Sequence, residues 1–279
     1  MHYLTAALLN IDQPQLTIDV LEKLANLPPL EWSVQLILVD NGSQLDKLQQ
    51  LSAWLMANKE RFAELLFIAS SKNQGVNGGR NIILKLATED RVLILDNDVI
   101  LPDSSAWLET LWQRLDDDPK VAIVGPTLVF SDHPDIVQAA GIGLTDQGRV
   151  GYLGRAKAVG DISQTPLAVV STPAACWLLR REAQQAVGLF SDEYYPMQYE
   201  DVDFCVRLGL AGWKIICERS VAIKHIENIT TRHLIDYPFA RLTVKQALLF
   251  RKKWAEILPK IATLSDEDIY WGPIPEIDN

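Results

Sequence analysis

The chain has 279 residues, 48% of them hydrophobic and 22% charged, a balance ordinary for a soluble globular protein of one large α/β domain or two small ones. Its formal net charge of −10 leaves no basic surplus for a polyanion, which argues against nucleic acid as a partner but permits a local phosphate site. Three scattered cysteines, Cys176, Cys205 and Cys217, lack CxxC or metal-ligand spacing and read as buried thiols in a reducing compartment.

Met1 to Asn10 lacks the basic start and cleavage site of a secretory signal and reads as a first strand, Tyr3 to Leu9. No apolar run reaches bilayer length, so a soluble or at most peripheral protein is expected. Gln15 to Leu27 carries helix-spaced Leu16, Val20, Leu21, Leu24 and Leu27, ended by Pro28 and Pro29. A buried strand follows at Val34 to Val39, closed by the turn signal Asp40-Asn41-Gly42-Ser43. Next come a polar helix from Leu45 to Glu64 and a strand from Leu65 to Ala69. A glycine-rich loop, Asn73 to Gly79, opens into a helix from Arg80 to Ala87, and Arg91 to Leu95 is a strand. This alternation predicts a mostly parallel sheet covered on both faces. Phe130 to Thr165 suggests hairpins and loops. Val169 to Arg180 reads as strand, Glu200 to Ala211 and Pro238 to Ile257 as helices, and the acidic stretch after Ser265 as loosely held.

The most informative residues are Asp96-Asn97-Asp98, which close the strand Arg91 to Leu95. Residues i and i+2 share a strand face, so both carboxylates are expected to point one way, where like charges need a cation or strong donors. Mg²⁺ is commonly held by one or two carboxylates plus substrate phosphates, whereas the plain alternative is a solvated strand-to-turn corner. Asn10, Asp40 and the loop Asn73 to Asn81 also follow strands, and ligands of open α/β sheets bind outside the carboxyl ends of strands. Asp40 suits a ribose or base edge, glycines allow close backbone approach, and Arg80 near a helix start adds a cation for phosphate. Plain turns and linkers explain the same residues one at a time. Further on, Glu200-Asp201-Val202-Asp203 offers either a general base or acids complementing a helix dipole, and His225 either a ligand or a structural imidazole.

Taken in order, Val39-Asp40-Asn41-Gly42-Ser43, Asn73-x-Gly75-x-Asn77-Gly78-Gly79-Arg80-Asn81, Asp96-Asn97-Asp98, Arg180-Arg181-Glu182, Val187 to Glu193, Glu200-Asp201-Val202-Asp203, Gly212-Trp213-Lys214 and His225 resemble a family-2 glycosyltransferase. The likeness is to the rhamnosyltransferase-like branch. It covers roughly Tyr3 to His225, with a fainter echo at Phe250 to Trp254. The resemblance implies an α/β fold of the A-type glycosyltransferase class, with a Rossmann-like, mostly parallel central sheet flanked by helices and a smaller mixed acceptor-side region. Residues 1–125 would form the nucleotide-sugar-binding half and 126–230 the acceptor-binding and catalytic half. Residues 231–279 would be a helical extension with an acidic tail.

It further implies an inverting, hexosyltransferase-type transfer from a nucleoside diphosphate-sugar to an acceptor hydroxyl, in polysaccharide or glycoconjugate synthesis. Asn10, Asp40, Asn73, Gly75, Arg80, Asn81 and Asp96 would serve the nucleotide. Asp98, with Asp96 and His225, would hold Mg²⁺ or Mn²⁺, Asp201 would be the catalytic base, and Glu200 would position it or the acceptor. The implied acceptor is a saccharide or lipid-linked, and the setting cytoplasmic, with residues 239–254 offering peripheral contact at the inner membrane face. The oligomeric state is left open. Leu9 stands where the family commonly has an aromatic, Ser191 where it has phenylalanine, and Ser171 to Cys176 replaces a more glycine-like loop. The alternative is a sugar-nucleotide-binding or complex-forming protein of this fold without turnover. A nucleotidyltransferase would want a basic glycine-rich loop after the first strand, and a dinucleotide dehydrogenase a GxGxxG, and neither is present.

Overall fold

A computed structural model describes residues 1–28, 31–226, 239–270 and 272. The first half alternates strands and helices: β1 (His2–Asn10), α1 (Pro14–Ala25), β2 (Trp32–Asp40), α2 (Leu45–Asn58), β3 (Glu64–Ala69), α3 (Gly75–Leu86) and β4 (Arg91–Leu95). Then follow β5 (Val99–Ile100), α4 (Ala106–Asp117), β6 (Val121–Phe130), β7 (Val137–Ala139), β8 (Ile142–Leu144), β9 (Val150–Tyr152) and β10 (Leu167–Val169). The chain continues through β11 (Cys176–Arg180), α5 (Arg181–Val187), α6 (Glu200–Leu210), β12 (Lys214–His225), α7 (Phe239–Trp254) and α8 (Leu258–Ile261).

The main sheet runs β10-β12-β6-β11-β4-β1-β2-β3, with β5 on β12 and β7 on β6. From β4 to β3 every pair is parallel, as the alternation predicts. Beyond β4 the sheet is mixed: β11 runs antiparallel to both β4 and β6, and β12 then pairs parallel with β6. Parallel strands are covered by helices on both faces, and the side chains divide accordingly. Leu4, Leu8, Leu36, Leu38, Leu93 and Leu95 pack on one face against α1, α2 and α4. Ala7, Ile37, Val39, Val92 and Ile94 pack on the other against α3, α5 and α6.

Several expected boundaries move. The helix expected from Arg80 starts at Gly75, so most of the glycine-rich stretch is helix rather than loop. Its first amides are capped from outside: Gln74 N donates to Asn41 Oδ1 at 2.8 Å and Gly75 N to Asn73 Oδ1 at 2.7 Å. The glycines serve close packing, because a Cβ on Gly79 would come 2.5 Å from Leu9 Cδ2. The polar helix from Leu45 ends at Asn58, and Lys59–Arg61 forms a separate 3₁₀ turn. The strand expected over Val169 to Arg180 is two, broken at Ser171 to Ala175 where Pro173 has no amide to donate. Helix α4 and strand β6 were not assigned from sequence.

Within the acidic stretch after Ser265, the described residues up to 270 are anchored rather than loose, with Asp266 paired to Arg149 at 2.9 Å and Ile269 buried, and 271 and 273–279 lie outside the described residues. The expected helix breaker Pro29 and the helix start at Pro238 lie outside the described residues. Helix α7 buries Leu242, Gln246, Ala247 and Phe250, the last in a cluster with Ile142 and Leu144 of β8 and Val202 and Val206 of α6. No helix among the described residues is long and apolar enough to cross a membrane.

Candidate active site

The carboxyl ends of β1, β2 and β4 meet the start of α6, the end of β12, the β8–β9 hairpin and α7 around one cleft of about 630 Å³. Strand β4 stops at Leu95, so Asp96-Asn97-Asp98 forms the turn into β5 rather than a continued strand. The two carboxylates still converge, because β5 pairs with β12 in a register that sets Val99 opposite His225. Ligand atoms of Asp96, Asp98 and His225 all lie within 4.8 Å of one another. Between the aspartates, Asn97 Nδ2 instead donates to Thr17 Oγ1 at 3.1 Å, and that hydroxyl donates to Asn10 Oδ1 at 2.8 Å.

These residues fit a divalent cation. Asp98 is buried, and its Oδ1 accepts no hydrogen bond although it stands 3.2 Å from His225 Nε2. His225 Nδ1 lies 2.8 Å from the amide oxygen of buried Gln138, which can only accept. With the proton on Nδ1, Nε2 turns a lone pair toward the Asp98 carboxylate. Two electron-rich atoms at that distance call for a cation, and a histidine whose other nitrogen is held this way is the usual form of a ligating one.

Across the cleft, α6 begins with Glu200 and Asp201. The turn into it is strained: Gln198 and Tyr199 have φ of 79° and 67°, left-handed values that cost non-glycine residues about 1–3 kcal/mol each. Surrounding contacts hold it, with Gln246 Nε2 donating to Tyr195 O and Met197 O, and Thr243 Oγ1 to Gln198 Oε1. The buried Arg80 guanidinium joins the two acidic groups, reaching Asp96 Oδ1 at 2.7 Å and Glu200 Oε1 at 3.2 Å. Burial opposes its charge, but the two carboxylates outweigh that and raise its pKa. Arg80 is therefore already matched by protein acids, rather than a spare cation for phosphate as its sequence position suggests.

Burial raises the Glu200 carboxyl to about 7, with Asp201 adding to the effect and Arg80 opposing it. Its Oε2 has no partner. Asp201 is less enclosed and lines the cleft; burial raises its pKa too, opposed by Arg80 and by the Val202 amide, which donates to Oδ1 at 2.8 Å. Asp203 points away from the cleft and accepts from Arg207, Lys253, Trp254 and Tyr194, tying α6 to α7.

Of the sequence candidates, Asn10, Asn73, Gly75, Arg80, Asp96, Asp98, Glu200, Asp201 and His225 line the cleft. Asp40 and Asn81 do not. Asp40 is 1% exposed, with Oδ2 accepting from Asn10 Nδ2 at 2.7 Å and from Ser43 Oγ, so it props the wall from behind. Asn81 exchanges two 2.9 Å bonds with the Phe190 backbone, locking α3 to the chain ahead of α6. Gly75 has φ of 73°, and a Cβ there would meet Pro196 O at 2.7 Å. Sequence reasoning missed Asn41, Gln138, Arg149, Tyr199 and Arg251. Of these, Asn41 lies inside the Asp40 turn and Arg251 inside the Phe250 to Trp254 echo, and the others carried no local signal.

Residues 14–187 match the family described as "Glycosyl transferase family 2". The chain belongs to glycosyl transferase family 2. A curated family relative, the O-antigen biosynthesis protein RfbC of Myxococcus xanthus, is 26% identical over 228 residues, which are 79% of this chain and 17% of that protein. The chain spans less than a quarter of the length of the curated relatives it matches. Among solved structures, the mannosyltransferase PcManGT from Pyrobaculum calidifontis, in complex with GDP-Man and Mn²⁺, aligns with a TM-score of 0.56 at 16% identity. That alignment covers 80% of this chain and 56% of the other. S. aureus TarS 1-349 aligns with a TM-score of 0.59 at 16% identity over 96% of this chain and 68% of that one. These two likenesses bear on the fold, and it is the A-type glycosyltransferase fold expected from the sequence.

Proposed function

We propose that this family-2 glycosyltransferase is an inverting, hexosyltransferase-type enzyme that depends on Mg²⁺ or Mn²⁺ and moves a sugar from a nucleoside diphosphate-sugar to an acceptor hydroxyl. The observation that carries the reading is the unpartnered, buried Asp98 Oδ1 beside His225 Nε2, facing the Glu200-Asp201 pair across one cleft. Asn10, Asn41, Asn73 and Gly75 form the end suited to the nucleotide, in the half spanning 1–125. Asp40 and Asn81 act there through the residues they hold. Asp98 and His225, with Asp96, hold the cation, whose chemistry when bound is to neutralise charge on the departing diphosphate.

Asp201 is the base. Both acids line the cleft, but Glu200 is held by Arg80, whereas Asp201 is the less enclosed. Its carboxylate accepts the acceptor proton as the oxygen attacks the anomeric carbon opposite the leaving group, and Glu200 with Arg80 fixes its approach. Residues 126–230, with α7, shape the acceptor side, and synthesis of a polysaccharide or glycoconjugate is the setting. The ordered motifs favour the rhamnosyltransferase-like branch. An acceptor carried on a membrane would meet the outward face of α7, where exposed Arg241, Lys245 and Lys252 flank Leu248.

The test is a screen of common nucleotide sugars for binding and hydrolysis, with Mn²⁺ and with EDTA. Metal-dependent turnover of one donor is the expected result. Binding of none, or indifference to EDTA, would refute the reading.

A further inference from the structure

The cleft holds a second charged group apart from the acids and their cation. Arg149, beside the β8–β9 turn, and Arg251, near the end of α7, both line it. Arg251 is packed against that turn, since a Cβ on Gly148 would come 3.0 Å from Arg251 Cγ. Its guanidinium has no hydrogen-bond or ion-pair partner among the described residues, and its Nε is shielded from solvent and unpaired. The other cationic groups of the cleft are matched. Arg80 lies between Asp96 and Glu200, and Arg149 meets Asp266 at the surface.

An arginine whose Nε is shielded from water and unpaired at the wall of a cleft is placed to meet an anion that a ligand supplies. The position of Arg251 narrows what that ligand is. Its charge acts on the phenol of Tyr199, the residue immediately before the Glu200-Asp201 pair. Arg251 and Arg149 come from α7 and the β8–β9 hairpin, whereas Asn10, Asn41, Asn73 and Gly75 come from the ends of β1 and β2 and the start of α3. An anion at Arg251 thus lies on the side from which a hydroxyl would approach Asp201. The planar guanidinium fork suits an oxyanion, either a phosphate ester or a carboxylate.

We propose that the acceptor carries an oxyanion close to the hydroxyl it presents, and that Arg251, supported by Arg149, binds this group. The proposal rests on the donor reading above and names the acceptor's chemical class.

Three probes sharing a three-carbon polyol frame test it: glycerol 3-phosphate, glycerate and glycerol. Each is titrated calorimetrically into the full chain saturated with Mg²⁺ and either UDP or GDP, whichever binds. At least one of the two anions is expected to bind and glycerol not to, and which anion binds distinguishes phosphate from carboxylate. Arg251→Ala is expected to weaken the anion at least tenfold. Arg251→Gln, which keeps the packed stem without the charge, should do the same, so a misfolded alanine variant does not shelter the idea. Arg149→Ala should have the smaller effect, because Arg149 also pairs with Asp266. Equal binding of anions and glycerol to the nucleotide-loaded protein, or no binding of either anion, would overturn the proposal alone. So would an equal loss of nucleotide affinity in Arg251→Gln, which would assign Arg251 to the donor. If neither nucleotide binds, the donor reading falls and this proposal with it.

Discussion

At the Asn10 end of the cleft, the polar side chains that build the wall are largely paired with one another. Asn10 bonds Asp40, Ser43 and Thr17, and Asn41 bonds Asn73, Gly75 and Gln74. At the end where α6, α7 and β12 meet, buried atoms stand without partners: Asp98 Oδ1, Glu200 Oε2 and Arg251 Nε. Backbone strain falls at that end as well, at Gln198 and Tyr199. Buried polar atoms are normally satisfied, so a cluster of exceptions marks a place kept open for ligand or chemistry. One end is a shape held ready, and the other is unbalanced charge that ligands complete.

The largest effect should come from the unbalanced end. Asp201→Asn is expected to lower transfer by about 10²–10⁴-fold while donor affinity, measured by calorimetry, stays close to that of the wild type. Loss of donor affinity on the same scale would move Asp201 to the nucleotide end. Next is the tie behind it. Asp203 is fully buried under Arg207, Lys253 and Trp254, so Asp203→Ala should cost about 3 kcal/mol in denaturant unfolding by removing the buried carboxylate those donors share. A cost below about 1 kcal/mol would show that α6 and α7 hold without it.

A smaller change tests the cation site without turnover. Gln138→Leu should weaken Mn²⁺ binding about 10–100-fold, followed by the resonance of free Mn²⁺, because His225 loses the acceptor that fixes its ring. Unaltered affinity would mean that His225 is oriented by something else.

The smallest effect concerns pH. Glu200 has a raised pKa, about 7 against an ordinary 4.5, so the folded protein holds a proton that the unfolded chain has already released in that interval. Its stabilising contribution is therefore present below pH 4.5 and lost as pH rises through 7. The unfolding temperature should fall from pH 5 to pH 8, and fall less in Glu200→Gln. Equal slopes would place the coupled proton on another group.

Much of the Asn10 end of the cleft was legible because its signals are local. An apolar run followed by Asp40-Asn41-Gly42-Ser43 announces a strand and its turn, and Asn10 and the loop of Asn73 and Gly75 follow predicted strands. Misreadings arose where one residue type serves two physical ends. The glycines around Gly79 look like a loop but let α3 lie against Leu9. Arg80 looks like a phosphate ligand but bridges two carboxylates from different elements. Residues 266–269 look solvated from their charge, yet Leu264 and Ile269 seat them against the β8–β9 hairpin.

By itself, then, the sequence determined which residues could do chemistry and which family they belong to, since residue type and order are properties of the chain. It also determined the parallel half of the sheet, because hydrophobic period and turn residues act over short range. Tertiary structure alone decided which groups meet. The β5–β12 register brings His225 to Asp98, buried Gln138 turns its ring, Arg80 joins Asp96 to Glu200, and α7 carries Arg251 to the cleft. These contacts join residues tens to more than a hundred positions apart. No local pattern encodes them, because they follow from how the layers pack.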